Sequence, residues 1–101
     1  MRRQPVDNSE LARWRCLDAG DLIERLCTYA KQDPTFQPRL HGQATRWHCN
    51  MDGAEYELLC DGPKFYDTRA CLGGGGAIDL VMHLRQLEFK PAAQLLRKLG
   101  L

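Results

Sequence analysis

The residues of this chain that could do chemistry are five cysteines, three histidines and one run of four glycines. The cysteines, Cys16, Cys27, Cys49, Cys60 and Cys71, are odd in number, and the opening MRRQPVDNSE has no apolar segment behind its arginines. Without a secretion signal, that count argues against a disulfide framework and leaves buried thiols or metal ligands. Thiolate and imidazole are the donors of structural zinc. Cys49, Cys60, Cys71 and His48 fall in one stretch, and His41 lies just ahead of it. His41, His48 and His83 have no recognisable nucleophile partner in sequence, so the pattern contains no catalytic pair.

The glycines, residues 73–76 within ACLGGGGAIDLV, run straight into an apolar, helix-like segment. Backbone N–H groups at a helix start can hold phosphate. A P-loop, however, needs Lys and Ser or Thr where Ala77 and Ile78 stand, and a helix pair follows instead of a βαβ unit. The run therefore reads as a corner where a strand ending at Arg69 turns into a packing helix. Glycine permits the positive φ and the close approach such a corner needs, and an auxiliary phosphate contact is compatible with it.

A second chemistry is recognition of single-stranded nucleic acid, which needs cations for phosphates and exposed rings for bases. Strand alternation puts Arg46 and His48 opposite Trp47 and Cys49, and Lys64 and Tyr66 opposite Phe65. Arg46, His48, Lys64, Tyr66 and the following Arg69 form the candidate binding set, with Arg39 and His41 just before them. Glu55, Glu57, Asp61 and Asp67 dilute it, and the net charge is only +1. So few phosphate contacts imply weak, salt-sensitive affinity and exclude a strongly basic nucleic-acid glove.

The elements that must position these residues follow from periodicity. Residues 1–12 are polar and read as a flexible arm, and residues 13–101 as one domain. Leu22, Ile23, Leu26, Cys27 and Ala30 form one helical stripe, predicting a helix over 18–32 that Asp33-Pro34 stops. An extended connector spans 33–43. Three strands follow, 44–50, 54–60 and 64–70, with Asp-Gly at both junctions marking tight hairpins. Ile78, Val81, Met82 and Leu84 stripe one further helix. A last helix has Pro91 at its first position and Gly100 just past its end. The expected class is α+β: a three-stranded antiparallel sheet packed by an N-terminal helix and two C-terminal helices. No apolar run approaches the roughly 18 residues of a membrane span, which points to a cytoplasmic protein.

FYDTRACLGGGGAIDLVMHLRQLEFKPAAQLLRKLG resembles the second half of the zinc-binding domain at the N-terminus of bacterial DNA primases. It is closest to the reduced versions on plasmids, phages and integrative elements that precede a Toprim catalytic domain. The likeness covers residues 44–100, and the Gly-rich turn with Ala77-Ile78-Asp79-Leu80-Val81 is its most specific part. It implies a zinc-ribbon-like, non-catalytic module that touches single-stranded DNA in the replication or transfer of a mobile element. The implied partners are that DNA and a primase-type catalytic domain or another replication protein. The family's ligands carry over incompletely. Cys49 and Cys71 match, but Asp52 stands where a histidine is expected and Thr68 where a cysteine is. The expectation is a ribbon that has lost its metal and packs Cys49, Cys60 and Cys71 as small apolar residues. Were zinc held, its ligands would be Cys49 and Cys71 with Cys60 or His48. The alternative is a protein-interaction module of the same fold.

Overall fold

The computed structural model describes residues 5–38 and 42–101; Arg39 and His41 lie outside the described residues. The class is α+β, as the sequence implies. The sheet has five strands, not three, all antiparallel and in chain order.

Its centre is the expected meander: β2 (Thr45–Met51), β3 (Ala54–Asp61) and β4 (Lys64–Asp67). Met51 pairs with Ala54, so the first turn is Asp52-Gly53, and both residues take the positive φ (51° and 90°) of a tight hairpin. Asp61 pairs with Lys64 across Gly62-Pro63, where Gly62 supplies the positive φ. Alternation sends Trp47, Cys49, Met51, Leu58, Cys60 and Phe65 into the core.

Two strands flank the meander. The helix expected over 18–32 ends early: α2 runs Ala19–Leu26, and the chain then extends into β1 (Tyr29–Gln32) along β2. Cys27 is already in extended conformation, and Thr28 N–H donates to Asn50 O at 2.9 Å. Thr28 and Tyr29 suit a pleated surface better than a helix. Ala30 sits on the helical stripe, yet it lies opposite inward-facing Cys49 as a strand residue, so both periods accommodate it. The arm expected over 1–12 is also shorter. Asp7 opens α1 (Asn8–Arg15) with a capping box, accepting from Glu10 N–H while the Glu10 carboxylate accepts from Asp7 N–H.

On the inner sheet face lie α2 and α3 (Ala77–Arg85), with α1 and α4 (Phe89–Lys98) packed against α3. Trp14, Ile23, Leu58, Leu80 and Leu96 are each under 2% exposed, and burying side chains of this size contributes about 1.5–3 kcal/mol apiece. Pro91 falls in the first turn of α4, where a missing N–H leaves no helical bond unmade, and Gly100 takes a φ of 77° just past the end. Arg97 bonds Glu10 through Nε at 2.7 Å, tying α4 to α1.

The glycine run divides its work. Leu72–Gly75 is β5, the edge strand on β4, and the corner is Gly76 alone, with a φ of 97°. The strand glycines serve a close approach. A Cβ on Gly74 would stand 2.9 Å from Phe65 Cε1 and 3.0 Å from Asp79 Cβ, while one on Gly75 would meet nothing nearer than Lys64 Cγ at 3.9 Å. We therefore expect Gly74→Ala to destabilise by about 1–3 kcal/mol. Gly75→Ala should be neutral or stabilising by about 0.5 kcal/mol, because it restricts the unfolded chain. Urea denaturation of the two variants checks the contrast.

Candidate nucleic-acid interface

The helices cover one sheet face, and the other carries the predicted binding residues. Cross-strand register places Lys31, His48 and Glu57 in one row, and Arg46, Leu59, Tyr66 and Gly73 in the next. Arg46, His48, Lys64 and Tyr66 thus share the outer face as expected. Arg69 lies beyond it, exposed in the turn after β4. Lys31 joins the set unforeseen, because its segment was read as helix. Tyr66 is 43% exposed, and its ring covers Gly73, whose Cβ would lie 3.1 Å from Tyr66 Cδ2. Leu59, Lys64 and Tyr66 help line a hollow of about 390 Å³.

The cations are not equally available. Arg46 donates to Asp33 Oδ2 through Nε (3.1 Å) and Nη2, and its guanidinium lies 5.2 Å from the Phe36 ring centre. The Thr35 hydroxyl and the Arg46 guanidinium together hold the Asp33 carboxyl well below the usual range. His48 stands between Asp33 (4.0 Å) and Glu57 (3.9 Å). Lys31 and Lys64 make no ion pair among the described residues.

The implied zinc ligands do not converge. Cys49 and Cys60 point into the core, His48 points out of the opposite face, and Cys71 lies in the exposed turn. The two substituted positions are engaged elsewhere: Thr68 Oγ1 donates to Glu57 Oε1 at 3.2 Å, and Arg85 Nη1 donates to Asp52 Oδ2 at 3.3 Å. A hydrogen bond with the Cys27 thiol, together with burial, pushes the Cys49 thiol up. Burial, with the Asp18 charge, pushes Cys60 to about 12. Among the described residues no three His, Cys, Asp or Glu side chains group to hold a metal ion. Protein purified without chelator should carry far less than one zinc per chain by elemental analysis; stoichiometric zinc would refute this assignment.

The structure also brings together a pair that sequence reasoning missed. Asp67 was counted on the outer face, but it shares the phase of Phe65 and turns inward, 3% exposed. Its Oδ1 accepts from Arg69 N–H (2.9 Å) and Ala70 N–H (3.0 Å), which ends β4 short of the expected residue 70. Its Oδ2 lies 2.7 Å from His83 Nε2 on α3. Burial works to raise the Asp67 carboxyl, but bonds from Ala70 N–H, His83 and Arg69 N–H outweigh it and hold the group below the usual carboxylate range. An ionised Asp67 assigns the Nε2 proton to His83 as donor. The ring is held edge-on to Tyr56 at 5.6 Å and tilted against Phe65 at 5.7 Å. A single phase count, Phe65 inward and hence Asp67 inward, was the available signal.

A group whose folded pKa is depressed contributes stability above its unfolded pKa and loses it as pH falls through the folded value. Asp67→Asn should therefore cost about 1–3 kcal/mol at neutral pH. The gap from wild type should narrow as pH falls below the ordinary carboxylate value and on through the lower folded one, where the wild-type carboxyl itself takes up a proton. Denaturant titrations at neutral and acidic pH measure it.

No helix among the described residues is long and apolar enough to cross a membrane. No protein-family model matches the chain, and no solved structure does. A stretch of 37 residues is 49% identical to part of a protein called "65 kDa protein" from Zymomonas mobilis subsp. mobilis, covering 37% of this chain. The match spans 6% of that protein's length, and its name states a size and no activity.

Proposed function

We propose that this domain is a non-catalytic module that binds single-stranded DNA across the outer face of its sheet. The reading follows the likeness to reduced primase zinc-binding domains of mobile elements, and it takes a primase-type catalytic domain or another replication protein as the working neighbour. The observation that carries it is the open face itself. Tyr66, 43% exposed, sits between Leu59 and Gly73 on the outer face, which also carries Lys64 on its own strand and Lys31 at the far edge strand, neither in an ion pair among the described residues. A ring with a bare rim can stack a base of any sequence, and the lysines can meet phosphates. Arg46 and His48, held by Asp33 and Glu57, shape the face more than they charge it.

Fluorescence anisotropy with a labelled thymine oligomer tests the proposal across a salt series. Wild type should bind at low salt with affinity that falls as salt rises. Tyr66→Ala should weaken binding about tenfold, the cost of one stacked base. Lys31→Ala with Lys64→Ala should flatten the slope of log K against log salt by about 1.4, two phosphates at about 0.7 each. No binding at low salt would sink the proposal and leave a protein-interaction module.

A further inference from the structure

Tyr66 has a counterpart at the far corner of the outer face. Tyr29, on the edge strand β1, is 56% exposed. It pairs with Asn50, which shares the phase of His48 and Arg46 on β2, so alternation puts its side chain on their face. Each tyrosine has a lysine two residues away on its own strand, Lys31 for Tyr29 and Lys64 for Tyr66. β1 and β4 are three steps apart in an antiparallel sheet and so run in opposite directions. Lys31 follows its tyrosine in sequence while Lys64 precedes its own, and the two reversals cancel. The lysine therefore lies on the same side of the ring in both pairs, apart from the sheet's twist of about 60–75° over three steps. The backbones of the two pairs are roughly 20 Å apart, three strand spacings across and four residues along.

We propose that one single strand crosses the outer face on this diagonal, stacking one base on Tyr66 and another, a few nucleotides on, on Tyr29. Its phosphates lie toward Lys64 and Lys31. The inference rests on the reading of the outer face as a DNA-binding surface and gives that surface its second anchor. A single strand repeats one unit of base and phosphate in one direction, and two ring–cation pairs of the same sense match that repeat. A pair related by a two-fold axis would instead suit two antiparallel strands. The residues between the anchors fix where the strand can pass. The outward residues of β3 are Glu55, Glu57, Leu59 and Asp61, so Leu59 alone offers a crossing without a negative charge. Leu59 stands in the row of Tyr66, and from it the path runs between Arg46 and His48 on β2 to reach Lys31 and Tyr29. Glu55 and Glu57 border that path on one side and Asp61 on the other, where their charge keeps phosphate off.

The test incorporates a ring-fluorinated tyrosine and follows Tyr29, Tyr56 and Tyr66 by ¹⁹F NMR, while anisotropy reports affinity. Thymine oligomers of about three and about ten nucleotides are added at low salt, the shorter too short to reach both anchors. Tyr56 faces the helices, where its hydroxyl donates to Leu84 O at 3.4 Å, and serves as the internal control. The expected result is that the long oligomer shifts Tyr29 and Tyr66 along one saturation curve and leaves Tyr56 unmoved. Tyr29→Ala should weaken the long oligomer about tenfold and so remove most of its advantage over the short one. Tyr29→Phe, which keeps the ring, should bind as wild type does. Long-oligomer binding that shifts Tyr66 alone, or that Tyr29→Ala leaves unchanged, overturns the diagonal while the outer-face reading stands. An equal loss for both lengths in Tyr29→Ala does the same, because it does not depend on reach. No binding of either oligomer to wild type overturns both.

Discussion

One buried carboxylate joins the two halves of this domain. Asp67 is the single buried charged side chain among the described residues, and each of its oxygens has its own task. Oδ1 gathers two backbone N–H groups and so closes the turn that sends the chain back as β5. Oδ2 holds His83, and with it the register of α3 against the sheet. A charge out of water is tolerable only when its bonds are nearly complete. Here the hydrogen bonds that satisfy the charge also determine where the last strand and the first C-terminal helix go.

The glycine strand follows from that arrangement. Once α3 is drawn onto β4 through His83, the strand between them must pass very near Phe65 and Asp79, where a Cβ on Gly74 would not fit. The same absence of side chains leaves a thin, smooth edge between two aromatic rings. A rim of bare backbone past Leu72 is thus the by-product of a packing requirement, and the outer face borders on it.

The meander, its two turns and the inward or outward sense of most of its residues were legible because each depends on neighbours in sequence. Asp-Gly turns and alternation are local, and they placed Arg46, His48, Lys64 and Tyr66 on one face. What escaped depends on partners far along the chain. The segment from Tyr29 to Gln32 carries a helical stripe, yet the unpaired edge of β2 offered it a ladder, and Lys31 came to the face with it. Asp7 and Glu10 spell a capping box in sequence, but the polar residues around them were read as an arm. The Asp67–His83 pair joins residues 16 apart, and only the phase of β4 hinted at it.

By itself the sequence determined an α+β domain, its hairpins, the helices bounded by Gly76 and Gly100, and a cysteine pattern unsuited to a disulfide framework. These rest on φ preferences, capping and periodicity, which act within a few residues. The tertiary structure alone decided that the glycines form an edge strand, that Cys49, Cys60, Cys71 and His48 point apart, and that Arg46 is held by Asp33. Such outcomes turn on which distant groups compete for the same partner, a competition settled by packing and desolvation once the chain has closed.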